Sequence, residues 1–114
     1  MKGRTLLIGL DGATFSILDP LMDEGVMPFL QRFIAGGTRA KLRSTVPPLT
    51  PPAWTTVMTG RSPGNHGVLD FFRFEFKPDG RFIRVLDSSD VGCETIWSMA
   101  SSRALNPGSS LIVS

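Results

Sequence analysis

Two oxygen-bearing side chains in this 114-residue chain stand where chemistry could use them, Asp11 and Thr50. Asp11 follows an apolar run, Leu6-Leu7-Ile8-Gly9-Leu10, of the kind that forms a strand buried on both faces of a parallel sheet. Open α/β sheets place their ligands beyond the carboxyl ends of such strands, where a carboxylate is a hard, oriented ligand for a divalent cation. Aspartate is also a preferred cap for a following helix, and residue type alone does not separate the two roles. Thr50 opens Thr50-Pro51-Pro52-Ala53-Trp54. Proline fits the first helical position, so Thr50 reads as the N-cap of a short helix. Orphan N–H groups and the helix dipole favour an anion there. A hydroxyl beside a bound phosphate could attack it if a metal or base lowered its pKa, while a plain cap is the competing role.

Other chemistries fall away by counting. The single histidine, His66 in Asn65-His66-Gly67, has no carboxylate or second histidine at ligand spacing and reads as a structural loop residue. The single cysteine, Cys93, has no nearby histidine to activate it and excludes an internal disulfide framework. Gly9-Leu10-Asp11-Gly12 lacks the glycine spacing of a dinucleotide-binding turn, and no P-loop lysine motif is present. Lys and Arg number 12 against 10 Asp and Glu, a net charge of +2 that is too small for a nucleic-acid footprint. Apolar residues make up 41% and charged residues 19%, which is the composition of a folded chain rather than a disordered one. The apolar run ends at Asp11, short of the roughly 7–15 residues of a signal peptide and the roughly 20 of a membrane span. A cytoplasmic protein without a membrane partner is expected.

The elements that must position Asp11 and Thr50 are legible from periodicity. Thr5 to Leu10 reads as a buried strand. Thr14 to Met22 has helical spacing, with Pro20 kinking it or starting a second part. Pro28 opens a second helix with Phe29, Leu30, Phe33 and Ile34 on one face, and Gly36-Gly37 stops it. Thr38 to Val46 alternates as a strand. The helix opened by Thr50 ends at Gly60. Phe72 to Phe76 and Arg81 to Leu86 form a hairpin across Pro78-Asp79-Gly80, with a polar outer face. Its phenylalanines, interleaved with Arg73, Arg81 and Arg84, would also suit a base-stacking platform, although no recognised RNA motif accompanies them. Glu94 to Leu105 is a helix with Ile96, Trp97 and Ala100 inward, and Ser110 to Ser114 begins another buried strand. Strand, helix, strand order predicts an α/β layered fold.

Taken together and in order, these segments resemble the alkaline phosphatase superfamily, and within it the type I phosphodiesterase/nucleotide pyrophosphatase family. Leu6 to Gly12 resembles the family's opening strand and first metal aspartate. Gly25-Val26-Met27-Pro28-Phe29-Leu30 with Gly36-Gly37 is similar to its Gly-x-x-Pro-x-Leu helix entry. Thr50 to Gly60, followed by Pro63-Gly64-Asn65-His66-Gly67, resembles its nucleophile segment, and Thr95-Ile96-Trp97 its next helix. Sulfatases carry arginine where Trp54 stands, and the Asp-Ser-Ala of alkaline phosphatase proper is absent. Ala53 replaces an asparagine that nucleotide pyrophosphatases often use to hold the phosphate, which points away from nucleotides.

The resemblance implies the N-terminal part of a three-layer α/β fold with a mostly parallel sheet and a β-hairpin insertion. It implies a phosphoester substrate, two divalent ions (usually zinc) roughly 4 Å apart, Asp11 as a metal ligand, and Thr50 as both metal ligand and nucleophile. The family completes its metal pair with further aspartates and three histidines, and only Asp11 and Thr50 carry over to this sequence. Residues 1–114 are therefore expected to form a single partial domain of a larger hydrolase, inactive alone and completed by a missing C-terminal portion or by self-association. Two other classes remain open: a non-catalytic interaction module that docks through its last strand, and a metal-free anion or nucleotide binder at the Thr50 helix.

Overall fold

A computed structural model of the protein describes residues 5–103, which fall into two compact units that divide between Leu42 and Arg43. In the first unit, helix α1 (Phe15–Asp23) is capped by Thr14, whose hydroxyl accepts from the Ser16 N–H at 3.1 Å. Pro20 lies inside α1, and the helix runs on through it as one element. It ends where Gly25, at φ +74°, donates to the Met22 carbonyl while the Val26 N–H returns to that of Leu21. That paired closure needs the left-handed conformation only glycine adopts without cost. Helix α2 (Pro28–Ala35) starts on its proline and stops at Gly36, as its sequence predicts. Leu30 and Ile34 are half-buried, while Phe29 and Phe33 stack at 6.1 Å and stay exposed. Arg39 folds back on α1, 2.7 Å from the Asp19 carboxylate and 3.9 Å above the Phe15 ring.

The expected strands are where the structure departs from the sequence reading. Residues 5–10 and 38–44 carry no strand pairing, and Leu6 is 82% exposed. Neither the parallel sheet nor the three-layer arrangement is formed among the described residues. The physical reason is that a strand is half of a structure: its backbone groups need a paired neighbour, which periodicity cannot supply. The predicted strand at Ser110 to Ser114 lies outside the described residues.

The second unit carries helix α3 (Thr50–Thr59), the short helix α4 (Pro63–His66), strands β1 (Phe72–Lys77) and β2 (Gly80–Val85), a 3-10 turn (Ser88–Asp90) and helix α5 (Ile96–Ser102). Along α3, the Thr55 hydroxyl bonds the Pro51 carbonyl and the Thr59 hydroxyl that of Thr55, each at 2.7 Å, so both threonines are buried with their donors satisfied. Gly60, at φ +65°, closes the helix on the Thr56 carbonyl. Helix α5 is shorter than expected at its start, because Thr95 caps it and forms a reciprocal capping box with Ser98.

The hairpin forms where its turn residues place it, antiparallel, with Phe72 opposite Val85 and Phe76 opposite Arg81. Its faces are the reverse of the expectation. Phe72, Phe74, Phe76, Ile83 and Val85 share an exposed face with Arg81, whereas on the other face Glu75 and Arg84 are half-buried. Arg84 explains the inversion: its guanidinium takes Glu75 at 2.7 Å across the hairpin and grips the Asp90 carboxylate with both terminal nitrogens. The Asp90 side chain is only 6% exposed, and a buried charge must be paired, so the ion pair draws this face inward. Arg84 holds the Asp90 carboxyl far below its ordinary range, with the Asp87 N–H adding to the effect. The unfolded chain therefore takes up a proton that the folded one refuses, so this contribution is present above about pH 4 and is lost as pH falls below it. Asp90→Asn is expected to lower the melting temperature at pH 7 and to flatten its fall between pH 5 and 3, followed by circular dichroism. An unchanged pH profile would remove the ion pair from the account.

Candidate functional site

Thr50 is the first residue of α3, not its cap; the cap position belongs to Leu49, which makes no side-chain capping bond. The correction has a chemical consequence. Pro51 and Pro52 occupy the next two positions and carry no N–H, so Thr50 is the only one of the first three helical residues with an amide hydrogen. The first intrahelical bond runs from the Ala53 N–H to the Leu49 carbonyl at 3.1 Å. The cluster of N–H donors that would cradle an anion is thus largely missing, and an anion here would meet the dipole and one amide. Thr50 itself is half-buried.

Asp11 lies in the first unit, exposed, in the turn that follows residues 5–10. The competing cap role does not fall to it, since Thr14 caps α1. Thr50 lies in the second unit.

Helix α3 presents different faces to different surroundings. Pro51, Thr55 and Met58, spaced on one face, line a cavity of about 420 Å³ together with Val68, Phe71 and Trp97. Thr56 faces His66 instead. His66 is completely buried, and both ring nitrogens are engaged: Nδ1 accepts from the Val68 N–H at 3.2 Å, and Nε2 lies 3.0 Å from the Thr56 hydroxyl. Burial lowers its pKa, partly opposed by a bond to the Pro52 carbonyl, so the ring is neutral at pH 7. The structural role expected of His66 stands, on a helix end rather than in a loop. Cys93 is half-buried, with its thiol 3.4 Å from the Asn65 carbonyl.

Sequence reasoning did not find the Arg73, Glu75, Arg84 and Asp90 ion-pair group. The signal was present for its hairpin members, because period-two spacing puts Arg73 and Glu75 on one face of β1. The Asp90 partner comes from the 3-10 turn, which no periodicity announces.

Among the described residues no group of three or more His, Cys, Asp or Glu side chains could hold a metal ion. Asp11 and Thr50 offer two oxygen-donor side chains, one of them normally protonated, and zinc sites use at least three protein ligands of better donor quality. The residues present therefore do not fit a zinc pair.

Residues 5–109, spanning both Asp11 and Thr50, match the family described as type I phosphodiesterase / nucleotide pyrophosphatase, and the chain belongs to that family. No curated protein and no solved structure matches it. The family defines the class of chemistry as hydrolysis at phosphorus. Among the described residues, no helix is long and apolar enough to cross a membrane.

A ligand that binds only the folded state raises its melting temperature, so the metal question has a direct readout. Zinc added to the 114-residue chain is expected to shift the melting temperatures of the parent and of Asp11→Asn alike. A zinc-dependent rise seen in the parent and lost in Asp11→Asn would show that these residues do assemble a site.

Proposed function

We propose that this chain is the N-terminal, nucleophile-bearing part of a metal-dependent phosphoric ester hydrolase, with the Thr50 hydroxyl oxygen as the attacking atom. The observation that carries this reading is the family match across residues 5–109; the resemblance of Thr50 to Gly60 to the family's nucleophile segment is what supports Thr50, the residue that opens α3, in that role. A nucleophile at the first position of a helix stands at the positive end of the dipole, where a developing negative charge is stabilised.

The chemistry is a double displacement. The Thr50 oxygen forms a bond to phosphorus as the bond to one ester oxygen breaks, and the departing group leaves as an alcohol or phenol with the proton Thr50 gave up. Water then attacks phosphorus, the threonine–phosphorus bond breaks, and Thr50 recovers a proton as the phosphate monoester departs. Ala53 supplies no side-chain amide to hold a phosphate oxygen, which favours a phosphoester other than a nucleotide.

The family is generally metal-dependent, and on this reading Asp11 is one of its ligands. The remaining ligands are not among these 114 residues, which contain a single histidine. We therefore propose that the chain does not turn over alone. The exposed apolar run at residues 6–10 is consistent with this, because such a run becomes a strand of a mostly parallel, layered sheet only when further chain covers it.

The test is turnover of bis(4-nitrophenyl) phosphate by the longest open reading frame that contains residues 1–114, beside the 114-residue chain itself. The longer protein is expected to hydrolyse the ester, Thr50→Ala to lose activity by roughly 10⁴-fold, and Thr50→Ser to retain part of it. The short chain is expected to be inert. Full activity in Thr50→Ala would overturn the nucleophile assignment, and Thr50-dependent, zinc-dependent turnover by the short chain would overturn its incompleteness.

A further inference from the structure

The cavity of about 420 Å³ beside α3 has the size that holds a small organic molecule. Its walls come from one face of α3, the end of β2 with the 3-10 turn, and the start of α5, all within the second unit. Thr55 and Val68 are buried and form its floor, with Met58 and Trp97 half-buried above them. The Thr55 hydroxyl is already spent on the Pro51 carbonyl at 2.7 Å, so the floor is apolar in effect. Phe71 is 48% exposed, and Asp70 and Asp87 are exposed beside it, which places all three at the mouth.

Charge then selects the occupant. The lining contains these two carboxylates and no Lys, Arg or His. One oxygen of each is held locally: Asp70 Oδ1 accepts from the Phe71 N–H at 2.6 Å, and Asp87 Oδ1 from the Ser89 N–H at 2.7 Å. The second oxygen of each takes no hydrogen bond among the described residues. Arg84, two residues before Leu86 in the wall, is taken up by Glu75 and Asp90. Aromatic and apolar surface beneath two carboxylates attracts a cation with an apolar body and repels a phosphate.

We infer that this cavity binds an organic ammonium ion, its charged end beside Asp70 and Asp87 and its apolar or aromatic body on Met58, Phe71 and Trp97. Binding stands on the cavity alone. That the cavity receives the non-reacting group of the ester rests also on the reading of Thr50 as nucleophile, because Pro51, in the cavity wall, directly follows it.

The probe is 2-phenylethylamine, a cation at pH 7, set against 2-phenylethanol, which has the same body and no charge. In amide and indole spectra of the 114-residue chain, the amine is expected to shift Val68, Phe71, Ser88 and the Trp97 indole. It is expected to bind about tenfold more tightly than the alcohol. Equal binding of the two, no binding, or shifts confined to other residues would overturn the site, and none of these readings needs a variant. Asp70→Asn and Asp87→Asn each keep the oxygen that accepts the local N–H. Each is expected to weaken the amine about threefold and to leave the alcohol unchanged; undiminished amine binding in the double variant would also overturn the site. In the turnover assay of the longer reading frame, the amine is expected to raise KM for the diester with kcat unchanged. An unchanged KM at saturating amine would overturn the link between the cavity and the ester group. Should Thr50→Ala remain active while the amine still binds, the nucleophile reading falls and the site stands.

Discussion

Two prolines decide where α3 can begin. A helix leaves the N–H groups of its cap and first three residues without intrahelical partners, so proline forfeits no backbone bond there and forfeits one anywhere later, as Pro20 does inside α1. With Pro52 as the third helical residue, a start one residue earlier would place it where a backbone bond is required. Thr50 is therefore the earliest first residue that costs α3 no backbone bond, and the structure uses it. The same prolines leave Thr50 as the one residue among the first three of α3 that carries an amide hydrogen.

The second unit is held through polar contacts more than through a deep apolar core. Its buried groups include His66, Thr55 and Thr59, as well as Val68 and Pro52. Each of the three polar side chains has a partner, as burial requires. Arg84, Glu75 and Asp90 bind the hairpin to the 3-10 turn, and Gly92 carries that anchorage to the carbonyl of His66. The apolar side chains of the hairpin and of residues 6–10 remain exposed. Those surfaces have the character of interior waiting for a neighbour.

How much of this was legible follows from what kind of interaction decides each element. Helices α1, α2 and α3 and the hairpin turn are governed by local chemistry: Pro28, Gly36, Gly60 and Pro78-Asp79-Gly80 read correctly from the sequence, whereas Thr14 was read as helical rather than as the cap it is, and Thr50 as the cap of the helix it opens. The strands at residues 5–10 and 38–46 depend on partners remote in the chain, and apolar or alternating pattern says nothing about whether a partner is present. The inverted hairpin was missed for a related reason. Alternation identifies two faces, but an ion pair to Asp90 decides which one is covered. At the candidate site, Asp11 and Thr50 were visible as residue types, and the family they belong to was visible in their order along the chain. The contact of His66 with α3 was not visible, because the two partners of its ring, the Thr56 hydroxyl and the Val68 N–H, have no signature in sequence.

The central claim is that phosphorus becomes bonded to the Thr50 oxygen during the reaction. Its most direct measurement is peptide mapping by mass spectrometry of the longer reading frame, acid-quenched while it consumes a phosphodiester. The account expects a covalent phosphoester on the peptide that contains Thr50, appearing with substrate and decaying as substrate is exhausted. An adduct on a different residue, with turnover proceeding normally, would contradict it.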